Sequence, residues 1–319
     1  MDISIILATY KRPEILNKTL KSFCDLIVDD ITWELIIVDN ACNPETSNLV
    51  DRYCEKLPIV FLTESKPGKN NALNTAIKCA SGALYAFTDD DIIANPDWLV
   101  QFWEGANRWP GHSVFGGRIV ADWPGEIPFW GEDHPLNVSL FALHKPFGTE
   151  MEYDTAGFLP YGPNMMIRRE IFELGYRYNP DVGPTGEKIY KMGSETELLM
   201  RLRDDGFTPV YLPNCVVKHQ IRSEQLRDIW LKRRNFRIGF YDASSDEHLQ
   251  RRLFSCARYL WKQLLSLLLK WMLYKVSVNR LAAFEVNCFI YRVRGKIYAQ
   301  RQYDGAGSDD VIQKWLQCS

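Results

Sequence analysis

Hydrophobic and polar positions along the first ninety residues switch repeatedly between two periods. "SIILAT" (4–9) is a short apolar run of the kind that forms a buried strand. In "PEILNKTLKSF" that follows, Leu16, Leu20 and Phe23 recur at helical spacing. Pro13 stands near the start of this helix, where its missing N–H costs little. "ELIIVDN" (34–40) reads as a second strand and "PETSNLVDRYCEK" as a second helix. "IVFLTE" (59–64), the helix-patterned "NNALNTAIKCA" (70–80) and "LYAFT" (84–88) continue the alternation. The rhythm predicts an α/β fold, with a mostly parallel central sheet, right-handed crossovers and helices on both faces.

Beyond Asp91 the pattern is mixed. "VFGGRIV" and "YGPNMMIRR" read as further strands, and the Pro-, Gly- and aromatic-rich stretch 121–160 as an irregular, substrate-shaping segment. "SETELLMRLRDDG" (194–206) predicts a short helix capped by Ser194 and ended by Gly206. From Ser223 onward the pattern is almost wholly helical. The expected division is therefore 1–222 and a C-terminal helical region, 223–319.

Hydrophobic residues at 46% and charged residues at 24% are ordinary for a globular protein and argue against general disorder. The eight cysteines are scattered without a CxxC pair, which reads as reduced, packing thiols in a cytoplasmic protein. The opening "MDISIILATYKRP" reads as a first strand and not a signal peptide. Net charge is −2, but Lys218 to Arg301 carries 18 Lys+Arg against 6 Asp+Glu. That asymmetry points the C-terminal part toward an anionic surface or ligand, or else to a solvated basic face.

In sheets of this class, ligands sit outside the carboxyl ends of the strands. Thr9, Asp39 and the trio Asp89, Asp90 and Asp91 all fall at such ends. Along an extended segment Asp89 and Asp91 point one way and Asp90 the other. Two carboxylates on one side suit Mg²⁺ or Mn²⁺, which commonly bridge to substrate phosphates.

At these residues the chain resembles an inverting family 2 glycosyltransferase with the GT-A fold. The matching stretches run in order: "ILATYKRPEILNKTLKS", "LIIVDN", "GKNNALNTAIKCASGALYAFTDDDIIANPDWL", "GGRI", "GPNMMIRREIF", "GSETELLMRL" and "CVVKHQIRS". The resemblance implies that residues 1–222 bind a nucleoside-diphosphate sugar donor and transfer its sugar to a glycan or lipid-linked glycan acceptor. It places Thr9 and Asp39 at the nucleotide's base and ribose, although a strand-end aspartate also caps helices. Arg12 and Lys69 match positions near the nucleotide; Lys69 reads equally as a solvated loop lysine. Asp89 to Asp91 match the family's DxD motif. Asp89 and Asp90 are assigned to the nucleotide sugar, and Asp89, Asp91 and His219 to a Mn²⁺ or Mg²⁺ ion. Glu195 matches the acid that supplies the catalytic base. Here the chain departs from the family, with Ser194 where the first acid usually lies and Glu in place of Asp. Glu197 competes for the role, but on a helix the two acids point about 200° apart. Asn164 and the Trp123–Trp130 region are expected either to shape the sugar and acceptor pockets or to fill the core.

Two other readings remain. A sugar nucleotidyltransferase usually carries a Gly-rich loop after strand one, and "ATYKRPE" has no glycine. A non-catalytic basic module for membrane or nucleic acid would leave the strand-end acids without a purpose, and nucleic acid is not expected as a partner. "RYLWKQLLSLLLKWMLYK" (258–275) is apolar but interrupted by Lys262 and Lys270, short of the ~20 residues a spanning helix needs. It reads as an interfacial helix, placing the protein peripherally on the inner face of the cell membrane, or as a helix packed on protein.

Overall fold

The computed structural model describes residues 1–28, 30–153, 158–184, 192–243, 252–253 and 256–303. They form two compact units. One comprises Met1–Asp122, Phe141–Lys188 and Gly193–Gln220; the other comprises Trp123–Leu140, Ile189–Met192 and Ile221–Ser319. The second unit takes in residues 123–140 together with the C-terminal stretch from Ile221.

The first unit opens with β1 (Ile3–Thr9), α1 (Pro13–Phe23), β2 (Trp33–Asp39), α2 (Pro44–Asp51), β3 (Ile59–Thr63), α3 (Lys69–Cys79) and β4 (Leu84–Asp89). It continues through β5 (Ile92–Ala94), α4 (Trp98–Arg108), β6 (Val114–Asp122), a short α5 (Leu136–Phe141) that leads back into it, and β7 (Met151–Glu152). β8 (Met165–Arg168), α6 (Arg169–Glu173), α7 (Ser194–Asp204) and β9 (Val210–Gln220) complete it. The strands make one sheet in the order β3-β2-β1-β4-β8-β6-β9-β5, with β7 added on β9. β3, β2, β1 and β4 run parallel, as do β6 and β9, while β8 is antiparallel to both its neighbours.

β1 is buried at every residue and β2 at all but its first. A strand covered on both faces reads as a continuous apolar run and not as an alternation. On one face Ile6, Ile36, Val38, Tyr85, Phe87 and Ile167 pack against α3, α6 and α7. The alternate side chains, among them Ile5, Leu7 and Ile37, are fully buried on the other. There Phe23 of α1 stacks on Trp98 of α4, centroids 6.0 Å apart.

Three expected elements change. α2 ends at Asp51 and does not run through "RYCEK". "YGPNMMIRR" is not strand throughout: Gly162–Asn164 is a single 3₁₀ turn before β8 begins at Met165. Pro163 has no N–H to give a ladder. Ser194 does not cap α7. Gly193 takes that place with φ +91°, and Ser194 starts the helix with no capping bond. Ser194 Oγ lies 2.0 Å from where a Cβ on Gly183 would stand, so its hydroxyl packs against that glycine. Gly206, with φ +93°, follows the end of α7 as expected.

The second unit is built on α8 (Asp228–Ala243), α9 (Arg258–Val276) and α10 (Arg280–Tyr303). α8 and α10 approach backbone to backbone through two glycines. A Cβ on Gly239 would stand 1.8 Å from the Arg292 carbonyl oxygen, and one on Gly295 2.1 Å from that of Phe236. Trp130 belongs to this packing: its ring stacks on Phe284 at 4.5 Å and its Nε1–H donates to Asn137 Oδ1. It is therefore a core side chain and not an open sugar platform. Among the described residues no helix is long and apolar enough to cross a membrane.

Candidate active site

The sheet switches direction at β1. β2 and β3 are added on one side of it and β4 on the other, and the carboxyl ends of β1 and β4 flank the crevice this creates. Ala8 pairs with Asp89 and Thr9 with Asp39, so the strand-end acids converge there.

Three adjacent carboxylates repel unless counter-charges face them, and here each is paired with a cation. Asp89 is ion-paired with Lys69. Asp90, fully buried, accepts from Thr9 Oγ1 at 2.6 Å and from Arg12 Nη2 at 2.5 Å. Asp91 accepts from Arg12 Nη1 at 3.1 Å, and its other oxygen stands 3.5 Å from His219 Nε2. One guanidinium thus spans two consecutive aspartates. Burial raises the Asp90 pKa to about 6, while Arg12 and Thr9 pull it the other way. Burial also opposes the Lys69 charge, but Asp89 and Glu195 more than offset it and hold the ammonium firmly protonated.

His219 sits on β9, in register with Ile92 and Ala121. Its Nδ1–H donates to the Phe141 carbonyl at 2.6 Å, which turns Nε2 toward Asp91. Burial would lower its pKa; the Asp91 carboxylate outweighs that and raises it.

Lys69, Asp89 and Glu195 line one cavity, walled by Leu73, Phe87 and Tyr178 and bordered by Thr88, Gly162 and Ser194. Gly162 borders the acid: a Cβ there would stand in van der Waals contact with it, 3.4 Å from Glu195 Cδ. Glu197, two residues on, is held instead by Arg201 in a bidentate pair at 2.9 and 3.0 Å. Of the two acids in the first turn of α7, Glu195 is the one at the cavity.

The chemistry of the donors decides whether a divalent ion fits. Among the described residues no group of three His, Cys, Asp or Glu side chains is gathered as a metal cage. Asp91 and His219 do converge, with an oxygen and a nitrogen directed at each other. Such a two-donor set suits Mg²⁺ or Mn²⁺, whose coordination is usually completed by substrate phosphates and water. Asp89, also expected as a ligand, is engaged by Lys69.

Other expected site residues have structural partners. Thr9 is buried and its hydroxyl is given to Asp90. Asp39 is fully buried, and its two oxygens accept from the backbone N–H of Ala41 and Asn43, ordering the loop after β2. Asn164 does not line the cavity: it accepts from Trp98 Nε1 at 2.8 Å and donates to the carbonyls of Arg118 and Cys215. Tyr178 and the Phe141 carbonyl escape the sequence reading, and Gly162 enters it only inside "GPNMMIRREIF", with no role of its own. Tyr178 belongs to no quoted motif, and a backbone oxygen has no residue-type signature.

The family model described as "Glycosyl transferase family 2" matches residues 4–175. Succinoglycan biosynthesis protein ExoM of Rhizobium meliloti (strain 1021) is 27% identical over 243 residues, covering 75% of this chain and 73% of that protein. Glucosyl-dolichyl phosphate glucuronosyltransferase of Haloferax volcanii is 25% identical over 246 residues, covering 75% and 76%. Among solved structures, mannosyltransferase PcManGT from Pyrobaculum calidifontis in complex with GDP-Man and Mn²⁺ superposes with a TM-score of 0.54 at 17% identity, covering 99% of this chain and 79% of that one. S. aureus TarS 1–349 in complex with UDP gives 0.51 at 15%, covering 97% and 93%. At these identities the structural likeness concerns the fold alone, which is that of GT-A glycosyltransferases.

Proposed function

The chain belongs to glycosyl transferase family 2 and is a glycosyltransferase; we propose that it acts with inversion, through Glu195 as general base, on a nucleoside-diphosphate sugar. The observation that carries this reading is a cavity lined in common by Glu195 and the Lys69–Asp89 pair at the mouth of the sheet. In an inverting transfer the acceptor oxygen attacks the anomeric carbon from the face opposite the leaving group. Glu195 takes the hydroxyl proton as the C–O bond forms, and the bonding pair to the old substituent departs with the nucleoside diphosphate. Glycosidases that invert obey the same geometry, with water as nucleophile.

The other residues act on the charge of the donor. Lys69 presents a permanent cation to phosphate or base oxygens, and Asp89 orients it. Arg12 and Thr9 lock Asp90, which fixes the backbone from which Asp91 projects. Asp91 and His219 would hold a Mn²⁺ or Mg²⁺ ion, and the chemistry such an ion supplies when bound is Lewis-acid neutralisation of a developing phosphate charge. Support comes from the GDP-Man and Mn²⁺ in a structural neighbour. The acceptor we favour is a glycan or lipid-linked glycan, in keeping with relatives named for succinoglycan and for glucosyl-dolichyl phosphate.

A thermal-shift screen of UDP, GDP, CDP and dTDP sugars, with and without Mn²⁺, tests this. One nucleotide class should raise the unfolding temperature, and further with Mn²⁺, because a ligand of the native state stabilises it by mass action. No response to any of them would overturn the donor assignment.

A further inference from the structure

α9 carries two apolar stripes where a surface helix needs one. The inner stripe is used: Leu260, Trp261, Leu264 and Leu267 pack with Cys256, Val293 and Ile297. Leu265, Leu269, Met272, Leu273 and Val276 form the other and are exposed, Leu273 at 67% and Val276 at 84%. Their spacing places all five within a sector of about 100°, next to the packed side and centred about 130° round the helix from it. The stripe continues into the turn, where Val278 is 86% exposed at φ +55°. A β-branched residue is poorly tolerated in the left-handed region, where Gly or Asn would sit without strain. A sequence that keeps valine there, in water, retains an apolar side chain against both solvation and backbone preference.

The charges around the stripe have one sign. Arg258, Lys262, Lys270, Lys275 and Arg280 are exposed, and no acid occurs from 258 to 284. Lys275 leans over the Trp271 ring at 5.6 Å. We propose that this outward face of α9, with the turn after it, docks on an anionic lipid bilayer, leucines and valines in the acyl boundary and the basic side chains among headgroup phosphates. Amphipathic helices with that division lie in the interface plane without spanning it. The charge pattern selects this occupant over a second copy of the chain. A two-fold contact sets a patch against itself, which here would bring lysines onto lysines.

Flotation of the full chain with vesicles tests the proposal. Wild type should float with an equimolar mixture of phosphatidylcholine and phosphatidylglycerol, poorly with phosphatidylcholine alone, and less as salt is raised. Leu269→Glu with Leu273→Glu should lower the bound fraction more than about tenfold. Lys270→Glu with Lys275→Glu should lower it at least about fivefold for each charge lost. All four side chains are exposed, so unchanged thermal unfolding is expected and serves as the folding control. Wild type that stays with the buffer at low salt overturns the proposal, as does vesicle binding unaffected by both pairs. Sedimentation showing a dimer that Leu269→Glu with Leu273→Glu splits, without any lipid binding, assigns the face to a second copy and also overturns it.

Discussion

His219 Nε2 stands 3.5 Å from Asp91 Oδ1, and the opposite ring nitrogen is fixed on the Phe141 carbonyl at 2.6 Å. The carbonyl can only accept, so the Nδ1 proton is assigned and Nε2 is directed at the carboxylate. His219→Ala and Asp91→Asn should therefore each weaken Mn²⁺-dependent binding of the nucleoside diphosphate by about tenfold or more, the scale seen even for groups that merely orient metal ligands. Calorimetric titration of nucleotide with Mn²⁺ present, and again after chelation, reads this directly. Equal affinity in both conditions for wild type would count against these two ligands.

Arg12 bridges Asp90 and Asp91 and is only partly exposed. Arg12→Ala leaves the buried Asp90 facing Thr9 alone. Breaking a buried ion pair by removing one partner costs roughly 3–5 kcal/mol; the half-open guanidinium puts the expected loss nearer the lower figure. Arg12→Lys should recover little, because a single ammonium cannot span two carboxylates in a fork. Chemical denaturation of the two variants checks the ordering.

Much of this architecture is legible from periodicity, and particular residues show where it stops. Ile5, Ile6 and Leu7 announce a strand covered on both faces, and Leu16, Leu20 and Phe23 announce the helix laid on it. The acids at strand ends mark the mouth of the sheet because topology alone brings those ends together. Glu195 could be separated from Glu197 only by direction on the helix, and the Arg201 partner of Glu197 lies one turn on, where pattern alone does not choose it. Asn164 shows the opposite case: a polar residue in "YGPNMMIRR", legible equally as pocket or core, turns out to be a hydrogen-bonded peg between strands. Whether a side chain lines a cavity or fills a core depends on what lies across from it, and sequence spacing does not carry that.

Asn164→Ala should consequently act on stability and not on substrate choice. It strands Trp98 Nε1–H and the carbonyls of Arg118 and Cys215. At about 1–3 kcal/mol for each buried group left unpaired, a loss of roughly 3 kcal/mol or more is expected in denaturant unfolding. Asn164→Asp should destabilise too, since a carboxylate cannot donate to those carbonyls.

His144 gives stability a pH dependence. Its ring is buried beside Tyr153, bonded to the hydroxyl at 2.8 Å, and burial lowers its pKa to about 4. In the unfolded chain the ordinary value is near 6.5. The unfolded state therefore binds the extra proton first as pH falls. The contribution is fully present above about 6.5 and is lost down to about 4, with an upper scale of roughly 3 kcal/mol from the size of the shift. His144→Asn should flatten that part of the stability–pH curve, measured by urea midpoints from pH 7 to pH 4.

Glu195→Gln provides the most direct test of the central claim, with sugar transfer and donor affinity measured on the same preparation and Glu197→Gln as its companion. A positioned base contributes on the order of 10²–10⁴-fold. Transfer by Glu195→Gln should fall by that amount while the nucleotide sugar still binds, and Glu197→Gln should stay within a few-fold of wild type. Transfer undiminished in Glu195→Gln, or abolished only in Glu197→Gln, would contradict the account.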